Sequence, residues 1–433
     1  MRSLIGFFTK NVLLKVASFN GVYILIKIAI GAIMSRIIAD YAGAAGMAIM
    51  GNLRNFTQGI QTFAILGIEH GLVKYAAAYR KDYIQLKKYY KTAWLLSIFS
   101  SCILAITIFI AAPWLDDYLI AADVSFANAF RVFAISLPFY VVFVFITSML
   151  QGFEIFKKYI VLQIVVSLIL FLISAYLIYN YNLTGALYGI VIVPFIQCFI
   201  GIVFLKNTLD KKVSFFKLIG FTWDAAIAKK FLSYSIMALV SAFLLPLVAI
   251  LVRNDVRVKV GDVEAGWWEG IIRISSYYIL FATSLISMYV LPKLSQNDSS
   301  AHFKSTVMHF YKSILPFLIV GLIAVYFSKD LIIHYMFNAE FNGMRPLFKW
   351  QLIGDFVKIV STVLAFQFIA RNDIKKYLIA EVLSVLSFYL FSKWLLPFYG
   401  VEGILMAHLF NYVVYLMIIL LLLRKEVFSS SSF

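Results

Sequence analysis

Arg54 and Arg273 each close a Gly-x-x-Arg unit, GNLR from Gly51 and GIIR from Gly270, inside otherwise apolar stretches. A guanidinium presents a planar fork of donors that matches the oxygens of a phosphate. Holding one in hydrocarbon costs about 2.5–3.5 kcal/mol even on a mild insertion scale, so it normally faces a cavity or a partner. The two arginines are therefore the expected phosphate ligands. Helical spacing adds companions. Thr57, Gln58, Gln61 and Glu69 extend the Arg54 face; Glu269, Ser276, Thr283 and Ser287 extend the Arg273 face. Lys27 groups with Asn20 and Tyr23, and Lys358 with Gln351, Asp355 and Thr362. A lipid-facing helix would not carry such stripes. They predict a water-filled, anion-binding cavity lined by Arg54, Arg273, Lys27, Lys358, Gln58 and Gln61.

Twelve basic residues but only five acids lie within the apolar spans, a surplus of seven positive charges even with every acid paired. The acids are Glu69, Glu269, Asp355, Glu381 and Glu402. Glu381, Asp355, Glu269 and Glu69 are candidates for proton or cation coupling. Structural pairing stands beside that reading, through Glu269–Arg273 at i,i+4 and Asp355–Lys358 at i,i+3. Lys15, Arg36, Lys74, Arg253 and Lys393 lie near span ends, where long side chains snorkel to the interface. Trp267 and Trp268 read either as interfacial anchors or as a platform for a sugar ring.

Other chemistries find little support. The five histidines are scattered, and Cys102 and Cys198 lack metal-ligand spacing and read as small core residues. No Walker motif is present, and the longest loop of the acidic set has 17 residues. The expectation is a protein that is not an enzyme, with no cofactor and no metal.

The elements that must position these residues follow from composition. Of 433 residues, 63% are hydrophobic and 14% charged, with a mean hydropathy of +0.91. A soluble domain carries roughly a quarter charged residues, whereas apolar runs long enough to cross a bilayer recur throughout this chain. Twelve spans are expected, near 11–37, 43–78, 92–112, 125–150, 159–179, 185–205, 231–253, 267–292, 305–328, 346–370, 377–397 and 402–423. The connecting segments alternate: one set holds 22 Lys/Arg against 7 Asp/Glu, the other 4 against 9. The positive-inside rule makes the first set cytoplasmic and leaves both termini inside. The first span carries Lys15 and Lys27 and lacks a cleavage site, so it reads as a retained helix. The net charge of +17 points to anionic lipid or an anionic substrate, not nucleic acid. The terminal SSSSF is low-complexity.

Residues 157–206 and 375–424 share 12 identities in 50 at an offset of 218, among them Lys-Lys-Tyr at 157 and 375, Tyr181/Tyr399 and Gly185/Gly403. The same offset aligns Phe130-Arg131 with Phe348-Lys349, and 219 aligns Arg54 with Arg273 and Lys74 with Lys293. Rare charges agreeing at one offset indicate two copies of a six-helix unit. The expected fold is an all-α integral membrane protein whose two six-helix lobes, 1–205 and 231–433, are related by a pseudo-two-fold axis along the membrane normal. Alternating-access transporters use that plan. Residues 206–230 form a basic linker, lying along the membrane surface or serving as a tether. Gln163 and Glu381 occupy equivalent positions, so only one half carries a titratable group there.

Several stretches resemble the Wzx-type lipid-linked oligosaccharide flippases: Gly266-Trp-Trp-Glu-Gly270, Tyr289-Val-Leu-Pro-Lys-Leu-Ser295, the run Met344–Lys358, and Tyr-Gly-x-x-Gly from Tyr399. Asn52-x-Arg54 and Gly71-x-x-Lys74-Tyr75 match in the first half. The likeness is strongest to the O-antigen and enterobacterial-common-antigen (lipid III) translocases. These belong to the multidrug/oligosaccharidyl-lipid/polysaccharide exporter superfamily. The resemblance implies an undecaprenyl-diphosphate-linked glycan as substrate, moved from the cytoplasmic to the periplasmic leaflet of the bacterial inner membrane. It also implies membrane lipids, a polysaccharide polymerase and chain-length proteins as partners. Basic residues of the central cavity fall by position on Arg54 and Arg273. The alternative within the superfamily is a drug/cation antiporter, whose cavity should be acidic instead. A major-facilitator carrier would need G-x-x-x-D-R-x-G-R-R in the loop 79–91, which reads YRKDYIQLKKYYK.

Overall fold

The computed structural model describes residues 12–120, 125–206, 215–296 and 299–428. The side chains of Lys15 and Asn20, residues 207–214 of the linker and the SSSSF tail lie outside the described residues. Among those described, every regular element is helical. In the first half these are α1 (Val12–Ala64), α2 (Glu69–Ala78), α3 (Tyr83–Leu119), α4 (Ala127–Gly152), α5 (Phe156–Val191), α6 (Val193–Lys206) and the short α7 (Phe215–Leu218). Then follow α8 (Ala225–Lys259), α9 (Asp262–Leu285), a π turn (Ile286–Val290) and α10 (Leu291–Leu294). The chain ends with α11 (Ser300–Phe327), α12 (Lys329–Met336), a 3-10 turn (Ala339–Met344), α13 (Leu347–Ala370), α14 (Ile374–Leu422) and α15 (Arg424–Phe428).

Three helices run through a sharp internal break. At 1.5 Å per residue the 49 residues of α14 would reach about 74 Å, against a bilayer core of about 30 Å. Each is broken by one residue outside helical geometry: Gly43 (φ 68°) in α1, Asn182 (φ 48°) in α5 and Gly400 (φ 55°) in α14. Beyond the last two breaks the backbones nearly touch. A Cβ on Gly185 would stand 1.9 Å from the Leu177 carbonyl oxygen, and one on Gly403 2.6 Å from that of Leu395. Only glycine permits that approach. Divided at these breaks, the helices make the expected twelve passes among the described residues.

The duplication is written in the backbone as well as in the side chains. The offset of 218 relates Asn182 to Gly400, Leu177 to Leu395, Glu154 (φ 62°) to Asn372 (φ 53°), and Gly43 to Gly261, all within or beside turns. The offset of 219 relates two irregularities inside spans. Leu66 (φ 52°) and Gly67 (φ 61°) break the second span between α1 and α2. The π turn Ile286–Val290 interrupts the eighth at the corresponding place.

The chain folds into two compact units, Met1–Ile37 with Leu53–Phe243, and Ile38–Asn52 with Leu244–Phe433. In the first, Leu72, Tyr75, Tyr89, Phe145 and Phe231 build a core, with the Tyr75 and Tyr89 rings 4.4 Å apart. Phe215 and Leu218 of α7 are buried in that core, so the described part of the linker packs on this unit and is not a free tether. Acids within the lysine-rich segments serve as N-caps. Asp82, Asp224 and Asp373 accept the backbone N–H of Gln85, Ile227 and Lys376. In the second unit Ile286, Val290 and Leu294 pack with Phe303, Phe310, Phe368 and Ile419. There the 3-10 turn seals the Gly43 break. Glu340 accepts the Ala44 N–H at 3.0 Å, and Asn338 donates to the Ala39 carbonyl at 2.6 Å.

Candidate functional site

On α1 the expected stripe holds for Arg54, Thr57, Gln58 and Gln61, which share one uninterrupted helix; the Thr57 hydroxyl donates to the Arg54 carbonyl. Arg54 and Gln61 are half-buried and Gln58 exposed. Glu69 does not share that helix. The left-handed Leu66 and Gly67 re-aim the chain, so Glu69 opens α2, its carboxylate 3.8 Å from the His70 ring. Gly67 is required there because a Cβ would stand 2.9 Å from that of Ala238. Lys27 lies over the Tyr23 ring at 5.9 Å, as their spacing predicts.

The second unit buries two polar clusters. The first centres on Glu269, which is fully buried. Its Oε1 accepts from Arg273 Nε at 3.2 Å, the expected i,i+4 pair, and its Oε2 accepts from Arg253 Nη2 at 2.9 Å. Arg253 Nη1 donates to Asn52 Oδ1, and the Asn52 amide donates to Asn254, each at 2.8 Å. The Trp268 ring covers the Arg253 guanidinium at 5.1 Å. Two expectations are corrected here. Arg253 does not snorkel: at 1% exposure it is among the most buried large side chains. Trp268 is neither belt anchor nor sugar platform but the lid of this cluster, while Trp267 donates to the Glu340 carbonyl. The glycine of GNLR also acquires a reason. A Cβ on Gly51 would stand 2.5 Å from Glu269 Oε2 and 3.0 Å from Arg253 Cζ. Two guanidiniums against one carboxylate leave a net positive charge, and Arg273 is the more exposed of the pair.

The second cluster centres on Asp355, also fully buried. Gln351, Asp355, Lys358 and Thr362 line one face of α13 as expected, but Asp355 pairs with His408, not Lys358. His408 Nε2 meets Oδ1 at 3.0 Å, and Ser275, Tyr278 and Gln351 donate to Oδ2 at 2.6, 2.5 and 2.9 Å. A carboxylate with four such partners is fully satisfied and rigidly placed. Lys358 lies instead over the Tyr412 ring, at 5.3 Å. Glu381 accepts from Tyr415 at 3.3 Å. Of the α9 stripe, Ser276 and Thr283 turn their hydroxyls back to the carbonyls of Arg273 and Ile279. Glu402 lies at a membrane end beside Lys329 and Lys349 rather than in the interior.

His408, Ser275 and Tyr278 were not among the sequence candidates. His408, Asn411, Tyr412 and Tyr415 recur at helical spacing in the last span, and that stripe was the available signal. Ser275 and Tyr278 occupy a second polar face of α9, hidden by the stronger Glu269–Arg273 one.

Residues 13–298 match the family described as "Polysaccharide biosynthesis protein". The chain belongs to that family. Lipid III flippase of Escherichia coli (strain K12) and that of Shigella flexneri are each 26% identical to it over 93% of this chain and 96% of theirs. The fold is that of the MOP superfamily. An inward-facing multidrug resistance MATE transporter superposes with a TM-score of 0.77 at 14% identity, covering 94% of each chain. The MATE multidrug transporter DinF-BH in complex with R6G gives 0.69 at 15% identity over 97% of this chain and 96% of that one. A MOP transporter from Pyrococcus furiosus described as having a binding pocket of reverse polarity gives 0.60 at 13%. The polysaccharide biosynthesis member described here is thus a multi-pass membrane protein on the MOP fold.

Proposed function

We propose that this protein is a flippase that moves a prenyl-diphosphate-linked oligosaccharide across the bacterial inner membrane. The observation that carries the reading is its likeness to lipid III flippases along nearly the whole of both chains. The interior chemistry supports it. Arg273 enters the Arg253–Glu269–Arg273 cluster with a net positive charge, suited to an anionic headgroup and unsuited to the organic cations of a drug antiporter. Arg54 and Arg273 hold the diphosphate, and Lys27, Gln58 and Gln61 line the route. Lys358 joins them on reorienting from Tyr412. The lysine-rich ends and both termini face the cytoplasm, from which the headgroup loads; the prenyl tail stays in lipid.

Asp355 with His408 is the coupling pair. One imidazole within hydrogen-bond distance of a buried carboxylate offers a place to hold a proton, and Glu381 beside Tyr415 is the secondary site. Both carboxylates belong to the second half alone, since position 137, equivalent to 355, is leucine and position 163, equivalent to 381, is glutamine.

The test is flipping of a prenyl-diphosphate oligosaccharide by the purified protein in proteoliposomes. Each charge-assisted hydrogen bond to phosphate contributes about 1.5–3 kcal/mol, so Arg54→Ala and Arg273→Ala should each slow flipping roughly 10- to 100-fold. Unchanged rates in both variants would remove the phosphate-ligand role. In the same vesicles His408→Gln should abolish the response to an imposed pH gradient; a response equal to wild type would exclude the coupling pair.

A further inference from the structure

Two cavities of the second unit adjoin at the membrane end opposite the lysine-rich loops. One, of 540 Å³, is lined by Tyr326, Lys329, Asp330, Arg345, Lys349, Trp350 and Glu402, with Pro346 completing its wall. The other, of 500 Å³, is almost wholly apolar, formed between α11 and α13 by Ile319, Ile323, Phe327, Ile353 and Phe356 among others. Tyr326 and Lys349 line both. Phe327 stands beside the rim at the end of α11, and the other apolar residues lie three to seven positions from Tyr326 or Lys349, about 5–11 Å deeper in the membrane. A charged cup thus opens onto an apolar slot. Phe327 (79% exposed) and Ile323 (50%) mark the slot as lipid-facing.

The charges of the cup decide its ligand. Arg345 is committed to Asp330, Nε to Oδ1 at 2.8 Å. Lys329 and Lys349 lie over aromatic faces, at 4.2 Å from the Tyr326 centroid and 5.0 Å from the Trp350 centroid. Among the described residues no carboxylate stands within ion-pair distance of either ammonium. Three cations against Asp330 and Glu402 leave one net positive charge, which a single phosphodiester neutralises. Lysine over tyrosine or tryptophan at the interface holds such a headgroup while the rings meet the glycerol region.

We infer that this cup and slot bind one monoanionic phospholipid of the leaflet opposite the lysine-rich loops, its phosphate on Lys329 and Lys349 and an acyl chain between α11 and α13. The site is independent of the translocation reading. It is tested by native mass spectrometry of the full-length protein released from nanodiscs containing equal phosphatidylglycerol and phosphatidylcholine. Wild type should retain one phosphatidylglycerol in at least 10-fold excess over phosphatidylcholine. The double variant Lys329→Ala/Lys349→Ala should fall to parity, Lys329→Arg/Lys349→Arg should keep the preference, and Lys81→Ala/Lys87→Ala, at the lysine-rich end, should behave as wild type. Parity in the wild type, or full retention by the double alanine variant, overturns the site. Displacement of phosphatidylglycerol by an equal concentration of polyprenyl diphosphate overturns the assignment to a phospholipid.

Discussion

Replacing Glu269 by glutamine keeps the shape of the side chain and removes its charge. In the folded protein that carboxylate is fully buried between Arg253 Nη2 at 2.9 Å and Arg273 Nε at 3.2 Å. At an effective dielectric of about 20, each contact represents a gross attraction of about 5–6 kcal/mol. Most of that is offset by the cost of dehydrating three charges, so the net worth of the cluster is far smaller. Breaking it is another matter, because the glutamine variant leaves two guanidiniums with no counter-charge at Glu269. Arg253, 1% exposed, cannot reach water. Removing one partner of a buried pair costs about 3–5 kcal/mol, which for a chain of 433 residues is a fall in Tm of about 3–6 °C. Detergent-solubilised protein followed by intrinsic fluorescence during heating reads the shift. Adding Arg253→Met removes one stranded charge and should recover part of the loss, a coupling of opposite sign to the first change. A Glu269→Gln variant that melts within about 1 °C of wild type would refute the reasoning, as would strict additivity of the two substitutions.

Two further outcomes follow from the backbone and from the lysine-rich end. Gly185→Val places a branched side chain where a Cβ alone would stand 1.9 Å from the Leu177 carbonyl oxygen, whereas the Cβ of Gly189→Ala comes no nearer than 3.3 Å to Ser174, at its Oγ. The first should abolish the monodisperse peak in size-exclusion chromatography and the second should keep it; equal peaks would show that the hairpin does not need its glycine. The Asp224 carboxyl is held below the usual carboxylate range by the Lys88 ammonium at 2.8 Å and by the Ile227 N–H it caps. A folded pKa below the unfolded one of about 3.9 means stability that is complete above the unfolded value and lost as pH falls through the folded one. Asp224→Asn should therefore lower Tm at pH 7 and flatten its decline below pH 4, the decline being unaltered if the pair is unimportant.

Much of the architecture was legible because hydropathy, charge alternation and an internal repeat are one-dimensional signals. Twelve apolar spans, the doubled six-helix plan and the Gly185/Gly403 correspondence needed no coordinates. The i,i+4 pair Glu269–Arg273 was legible too, since both ends sit on one helix. Asp355 was seen to share a face with Lys358, but its partner came from 53 residues away on α14. Spacing along one helix cannot rank a neighbour on that helix against a better-placed donor on another.

The same limit explains Arg253. Its position near a span end predicts snorkelling, and nothing local says that Asn52, Glu269 and Trp268 will close around it. Nor does the chain announce that Gly51 is glycine to admit a carboxylate from α9. By itself, then, the sequence determined that this is a duplicated, twelve-span membrane protein with an excess of intramembrane positive charge, because bilayer thickness and the cost of burying charge act on each segment independently. Only the tertiary structure decided which charges are neutralised and by what. Pairing depends on distances of about 3 Å between helices far apart in sequence, and packing, not periodicity, sets those distances.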